Sequence, residues 1–199
     1  MEKVTGYVTG VNGNLVSAKF DGSVRKNEVG FVKVGGDRLK GEVIRINGGA
    51  ASMQIYEMTN GIKVGDEVEL TGELLSVELG PGLLTQVYDG LQNPLPELAE
   101  KCGFFLERGE YLDPIPSRDW EFTPCVKPGD AVLAGDAVGS VPEGQFEHLI
   151  MVPFDLKDEG WRVKSVKEKG VYPVRDTVAV LENGSGEEKE LSMVLSWPV

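Results

Sequence analysis

The sequence predicts a mainly β protein: a small six-stranded antiparallel β-barrel, a connector, and a second all-β, barrel-sandwich-like domain. Three observations predict it. Short runs rich in Val, Ile and Phe recur along the chain. Turn residues punctuate them densely, with 26 glycines and 11 prolines in 199 residues. No helix-period segment interrupts the first seventy or so residues.

Taken in order, VTGYVTGV meets LVSAKF across Asn12-Gly13-Asn14, and Asn-Gly between alternating runs is a strong hairpin signal. Asp21-Gly22 ends the second run. EVGFVKV is closed by Gly35-Gly36-Asp37, LKGEVIRI by Asn47-Gly48-Gly49, and ASMQIY precedes Asn60-Gly61 and Gly65-Asp66, which introduce DEVEL. Six strands at this turn density suit a barrel, because closure removes exposed edges. Residues 1–71 are read as this barrel.

Residues 72–108 read as an ordered connector. LLSVEL leads into Gly80-Pro81-Gly82, where Pro81 fixes φ and both glycines are expected to take φ values closed to other residues, so the backbone turns sharply. A second turn follows at Tyr88-Asp89-Gly90. PLPELAEKC offers at most two helical turns, with Pro96 and Glu97 early and a stop near Gly103. Leu83, Leu84, Val87, Tyr88, Leu91 and Leu95 are too apolar for a solvated linker.

From about Gly109 the β signals return, and residues 109–190 are assigned to the second domain. WEFTPCV, AVL, AVGSV, HLIMVPF, WRVKSV, TVAVLE and KELSMVLSW are separated by Lys127-Pro128-Gly129-Asp130, Ala134-Gly135-Asp136, Pro142-Glu143-Gly144 and Asn183-Gly184-Ser185-Gly186. The repeat KPGDAV, AGDAV places tight turns before strands and is too short for a solenoid.

A chain of this length buries roughly 70% of its unfolded surface and needs no disulfide. Cys102 and Cys125 stand 23 positions apart, and His148, the sole histidine, is 23 farther on, so they make no zinc cluster and the cysteines read as buried or half-buried thiols. A reducing, cytoplasmic setting fits. No apolar run approaches the ~20 residues of a membrane span, and nothing at the N-terminus resembles a signal peptide. The net charge of −12 with scattered basic residues argues against nucleic acid as a partner.

The sequence assigns no catalytic, cofactor-binding or metal-binding residue. A phosphate loop needs Gly-x-x-x-x-Gly-Lys-Ser/Thr so that amides cradle phosphates, and no such string occurs. His148 opens an apolar run with no nucleophile elbow near it, and reads as structural. Glu107, Glu110, Asp113, Asp119 and Glu121 read as a solvated face. GDAVLAGDAVGSV before HLIMVPF has the look of a biotinyl- or lipoyl-type carrier, whose tip would fall at Lys157, but the Met-Lys-Met-type tip is absent. A non-enzymatic two-module carrier or adaptor is therefore the alternative reading.

Three blocks carry a closer resemblance. GEVIRINGGAASMQIYEMTNGIKVGDEVELTG runs into SVELGPGLLTQVYDGLQNPL, and WEFTPCVKPGDAVLAGDAVGSV continues through HLIMVP and DTVAVLE to SWPV. In order and content they resemble the start of the catalytic A subunit of V-type and A-type rotary ATPases, over nearly the whole chain. PEGQFEHLIMVPFDLKDEGWRV departs from the pattern, lacking the Pro-Gly turn and Gly-Lys strand start of many members.

The resemblance implies a non-catalytic N-terminal portion of that subunit, with residues 191–199 opening the link to a nucleotide domain whose phosphate loop lies beyond Val199. It implies ATP and Mg²⁺ for the parent and none for this segment. The implied partners are B subunits and other A subunits in an alternating A₃B₃ ring, with a collar formed by the barrel and an outward bulge within reach of peripheral stalks. The implied location is cytoplasmic, peripheral to the membrane, with coupling to H⁺ or Na⁺ flow. Gly80, Pro81, Gly82, Tyr88, Asp89 and Gly90 are read as a structural joint.

Overall fold

Alternation along the first strands dictates where their side chains go. In β2 (Leu15–Phe20), Val16, Ala18 and Phe20 are buried, and in β5 (Ala50–Ile55), Ala51, Met53 and Ile55 are. The structure, a computed structural model, describes residues 4–103, 107–157 and 159–199. Met1–Lys3 of the segment read as the barrel, Phe104–Leu106 of the connector and Asp158 beside Lys157 lie outside the described residues.

Two compact units result. The first holds the chain to Val77, Pro96–Leu112 and Pro198–Val199; the second holds Glu78–Leu95 and Asp113–Trp197. In the first unit, β1 (Thr5–Asn12), β2, β3 (Glu28–Val34), β4 (Asp37–Asn47), β5 and β6 (Glu67–Leu74) close an antiparallel barrel in the order β1-β2-β5-β4-β3-β6. The six-stranded barrel expected from the sequence is thus present, with the last strand running to Leu74 rather than stopping at Leu70. Val8, Val16, Val32, Leu39, Val43, Met53, Val68 and Leu70 fill its interior at 0% exposure.

Tight turns set the registers. Asn12 faces Leu15, Val34 faces Asp37, and Asn47 faces Ala50, each pair joined by two residues. The first of the two is a glycine at positive φ in every case: Gly13 at 61°, Gly35 at 62° and Gly48 at 59°. That is the position a two-residue hairpin gives to glycine. Glu28, 2% exposed, accepts from Arg25 N at 3.0 Å and Gly72 N at 2.9 Å, which fixes the entry to β3.

Also in the first unit, Tyr111 packs edge-on against Phe31 at 5.7 Å. Its hydroxyl accepts from Lys40 N at 2.7 Å and donates to Glu57, while Gly109 N donates to the other Glu57 oxygen at 2.7 Å. Residues 107–112 are thereby fastened to the barrel wall. The helix α1 (Leu95–Cys102) buries Leu98 and stops at Gly103, whose φ is 69°.

β7 (Ser76–Leu79) carries the chain into the second unit. There β8 (Asp119–Pro124), β9 (Ala137–Glu143), β10 (Phe146–Met151) and β12 (Gly170–Pro173) form a sheet in the order β10-β9-β8-β12. β11 (Arg162–Val166), β13 (Ala179–Glu182) and β14 (Glu188–Leu191) form a second, and β15 (Leu195–Pro198) follows. Trp120, Phe122, Val138, Val141, Ile150, Val163, Leu181 and Leu191 belong to one buried core. The predicted mainly β class therefore holds in both units.

Some local readings differ. AVL forms only a bridge, Ala131 to Arg162, because turns close on both sides of it. Asp130 N and Asp136 N each bond back three residues, and their carboxylates accept from Lys127 N and Leu133 N at 2.8 Å. KELSMVLSW splits where the Ser192 hydroxyl accepts from Val194 N at 3.2 Å. Pro142-Glu143-Gly144 is not the turn; β9 runs through Glu143, and Gly144-Gln145 turns instead. Cys125 is exposed, because the alternation that buries Trp120 and Phe122 points odd-numbered residues of that run outward. Cys102 is half-buried.

Candidate functional site

The most built part of the second unit surrounds the Gly-Pro-Gly turn. Gly82 takes φ 104°, closed to other residues, and a Cβ there would stand 3.2 Å from Pro116 and 3.5 Å from Trp120. Gly80 does not share that conformation, contrary to the sequence expectation: its φ is ordinary, and it is glycine in a tight place, where a Cβ would stand 3.3 Å from Met193 O and from the Val194 side chain. Gly80, Pro81 and Gly82 are themselves buried.

Glu143, 7% exposed, reaches this turn from β9. Its Oε1 accepts from Gly82 N at 2.6 Å and from Leu84 N at 3.4 Å, and its Oε2 lies 3.0 Å from His148 Nδ1. A buried carboxylate is costly unless donors face it, and here both oxygens have them.

The following turn is organised by Asp89. Its Oδ1 accepts from Leu91 N at 2.9 Å and Asn93 N at 2.8 Å, and its Oδ2 accepts from Asn93 Nδ2 at 2.9 Å. An aspartate serves such a turn because its short carboxylate reaches amides two and four residues on. Tyr88 Oη donates to Pro114 O at 2.8 Å. Gly90, with ordinary φ and open space around it, is not the residue under strain; Gln92 is, at φ 64°. Gln92 accepts from Glu78 N at 2.8 Å and donates to Glu78 O at 2.6 Å, so its side-chain amide pairs with β7 as a neighbouring strand would.

Glu78 and Asp113 share Arg175. The guanidinium meets Glu78 Oε2 at 2.6 Å and Asp113 Oδ1 at 2.5 Å. Hydrogen bonds to Glu78 first and Asp113 second hold its pKa above the ordinary arginine value. Asp113, Glu110 and Glu121, read as a solvated acidic face, thus each have a basic partner, in Arg175, Lys101 and Lys169 respectively. A cleft of about 480 Å³ lies in the same unit, lined by His148, Leu149, Phe154, Lys189, Leu195 and Trp197 among others.

This arrangement holds turns, with the Glu143 and Asp89 carboxylates accepting from backbone amides. Among the described residues no three His, Cys, Asp or Glu side chains are grouped to hold a metal. Lys157, the tip of the carrier alternative, is exposed, and its carbonyl accepts from Trp161 Nε1 at 2.9 Å. The cleft supplies one lysine against Asp155 and Glu190, and the chain has no phosphate loop, so its residues do not fit ATP or Mg²⁺ and no step of nucleotide chemistry is derived from them.

Two family models match in sequence order. Residues 8–72 match the beta-barrel domain of the ATP synthase alpha/beta family, and residues 113–199 match the ATP synthase alpha/beta subunit barrel-sandwich domain. A V-type ATP synthase alpha chain from Treponema denticola is 54% identical over 200 residues, which is 100% of this chain and 34% of that one. The V-type ATP synthase alpha chain 1 of Treponema pallidum is 54% identical over 201 residues, again 100% and 34%. That of Borreliella afzelii is 54% identical over 195 residues, 98% and 34%. The chain belongs to the ATP synthase alpha/beta family.

This family member spans about a third of the length of those relatives. No observation favours the carrier reading, and the stretch with the carrier-like pattern lies within the residues that match the barrel-sandwich domain. Among the described residues no helix is long and apolar enough to cross a membrane. Sequence reasoning missed Glu143, Glu28 and Gln92, the residues that hold the turns. For Glu143 a signal existed: a lone acid after the apolar run AVGSV, followed by Gly144, with the only histidine five positions on.

Proposed function

We propose that this chain serves as the N-terminal, non-catalytic portion of the A (alpha) subunit of a V-type rotary ATPase, in which ATP turnover is coupled to H⁺ or Na⁺ transport. Identity of 54% along its whole length to V-type ATP synthase alpha chains is the observation that carries the reading. In the parent, residues beyond this segment bind ATP and Mg²⁺. The barrel, assigned to residues 1–71, contributes to a collar of neighbouring A and B barrels in an A₃B₃ ring, and residues 109–190 form the outward bulge that meets peripheral stalks. The complex works as a soluble sector peripheral to the membrane.

Residues 72–108 act in this reading as the joint. The support is local: Gly82 at φ 104° is held by Glu143, and Tyr88 and Asp89 brace the next turn. Rigid turns of this kind transmit position, since each is fixed by several independent hydrogen bonds.

The coding sequence that follows Val199 tests the assignment. A Gly-x-x-x-x-Gly-Lys-Thr string is expected within about fifty codons, a spacing taken from the family resemblance. Its absence there would refute the reading.

A further inference from the structure

We infer that Glu143 and His148 form a proton-responsive latch on the Gly80-Pro81-Gly82 turn. The inference concerns the turn's own conformation and stands independently of the joint role proposed above.

The latch follows from hairpin register. Glu143 faces Phe146 across the Gly144-Gln145 turn, and His148 faces Val141. Residues 143 and 148 are therefore diagonal neighbours on one face of the β9–β10 ladder, within reach of each other. On that face Val141 is 0% exposed and Glu143 7%, while Phe146 opposite Glu143 is 67% exposed. The carboxylate cannot turn to water. It divides its two oxygens instead, one to Gly82 N at 2.6 Å and the other to His148 Nδ1 at 3.0 Å.

His148 differs from Glu143 in access. Its side chain is 26% exposed and borders the cleft, so protons reach the imidazole while the carboxylate stays enclosed. With the ring neutral, Nδ1–H donates to Oε2 as an ordinary hydrogen bond. When the ring takes a second proton the contact becomes a charge-assisted hydrogen bond, which is shorter and stronger. The same carboxylate then presents a better-fixed Oε1 to Gly82 N.

Other charged groups share the cleft with the imidazole. Across the cleft stand Lys189 and Glu190 of β14, and Asp155 follows β10. Glu147, the neighbour on β10, accepts from the Ser140 hydroxyl at 2.5 Å. Among the described residues no hydrogen bond or ion pair joins any of these to Glu143 or to the turn. The route from proton to turn therefore runs through the Glu143 carboxylate alone.

The test is an NMR titration of the whole chain between about pH 5 and 8, the range in which imidazoles change charge. It follows the His148 ring proton and the Gly82 and Leu84 amides, with hydrogen exchange measured alongside. Gly82 is expected to shift with the same midpoint as the ring, and its exchange, corrected for intrinsic rate, to slow by about three- to tenfold as the ring charges. His148→Asn places a non-titrating N–H near the position of Nδ1; it should keep Gly82 protected and abolish the pH response. Glu143→Gln should uncouple Gly82 from the ring while His148 still titrates. A Gly82 amide that ignores the His148 titration in the unaltered chain, or a response that survives in His148→Asn, would overturn the latch. Neither result bears on the joint, which is judged by assembly of the parent subunit.

Discussion

Two tyrosines in the first unit show how little separates a satisfied hydroxyl from an orphaned one. Tyr111 Oη accepts from Lys40 N and donates to Glu57, whereas the buried Tyr56 Oη has no hydrogen-bond partner among the described residues. Tyr56→Phe is expected to be neutral or stabilising by up to about 1 kcal/mol, and Tyr111→Phe to cost about 1–3 kcal/mol. Urea denaturation of the two variants would measure both, and equal losses would contradict the distinction. Both phenols also titrate late. Burial, then the negative charge of Glu42, pushes Tyr56 up to about 12 from 10.0. Burial, then the hydrogen bond to Glu57, raises Tyr111. A folded-state pKa above the unfolded one means that the neutral form is favoured by the fold. The stabilisation is complete below about pH 10 and drains away as pH rises through about 12. Urea midpoints should accordingly fall above about pH 10, and fall less in Tyr111→Phe.

At the scale of elements, turns rather than strands carry the unusual conformations. The turn Lys63-Val64-Gly65-Asp66 has the closure seen at Lys127-Pro128-Gly129-Asp130 and Leu133-Ala134-Gly135-Asp136, with glycine φ of 96°, 94° and 87° and an aspartate folding back onto the first amide. These are type II turns by their third-position glycine. Gly82 belongs to the same class of constraint with less room. Gly82→Ala is expected to cost about 1–3 kcal/mol through its φ and its crowding by Pro116. Gly80→Ala, at ordinary φ, should cost less. Denaturant melts followed by Trp120 fluorescence would rank them, and the reverse order would sink the account. The turns were largely legible in the sequence because glycine, asparagine and aspartate signal them locally. The strand β12 was not, since GVYP follows the charged stretch Lys167-Glu168-Lys169 and exists only because β8 offers Glu121 and Trp120 as register partners.

For the molecule as a whole, 152 residues fall in the two family-matched segments, 65 in residues 8–72 and 87 in residues 113–199. Both segments are β structure built to pack, and the net charge of −12 opposes a polyphosphate. Isothermal titration calorimetry of the chain with Mg-ATP is expected to show no saturable binding. A tight 1:1 site would contradict the assignment of nucleotide chemistry to the rest of the parent subunit. A biotinyl or lipoyl adduct at Lys157 in intact-mass spectra would equally speak against it.

The amino-acid sequence by itself determined the class, the barrel and most of its turns, because alternation and turn chemistry are properties of neighbours in the chain. It also carried the family, through the run from Gly41 to Leu95 and the block from Trp120. Only the tertiary structure decided what holds the turns. Glu143 lies 61 residues from Gly82, Gln92 lies 14 from Glu78, and Arg175 lies 97 from Glu78. No local pattern announces a carboxylate that has found its donors so far away. Its position is legible only once hairpin register has set it beside His148 and burial has left it no water to bind.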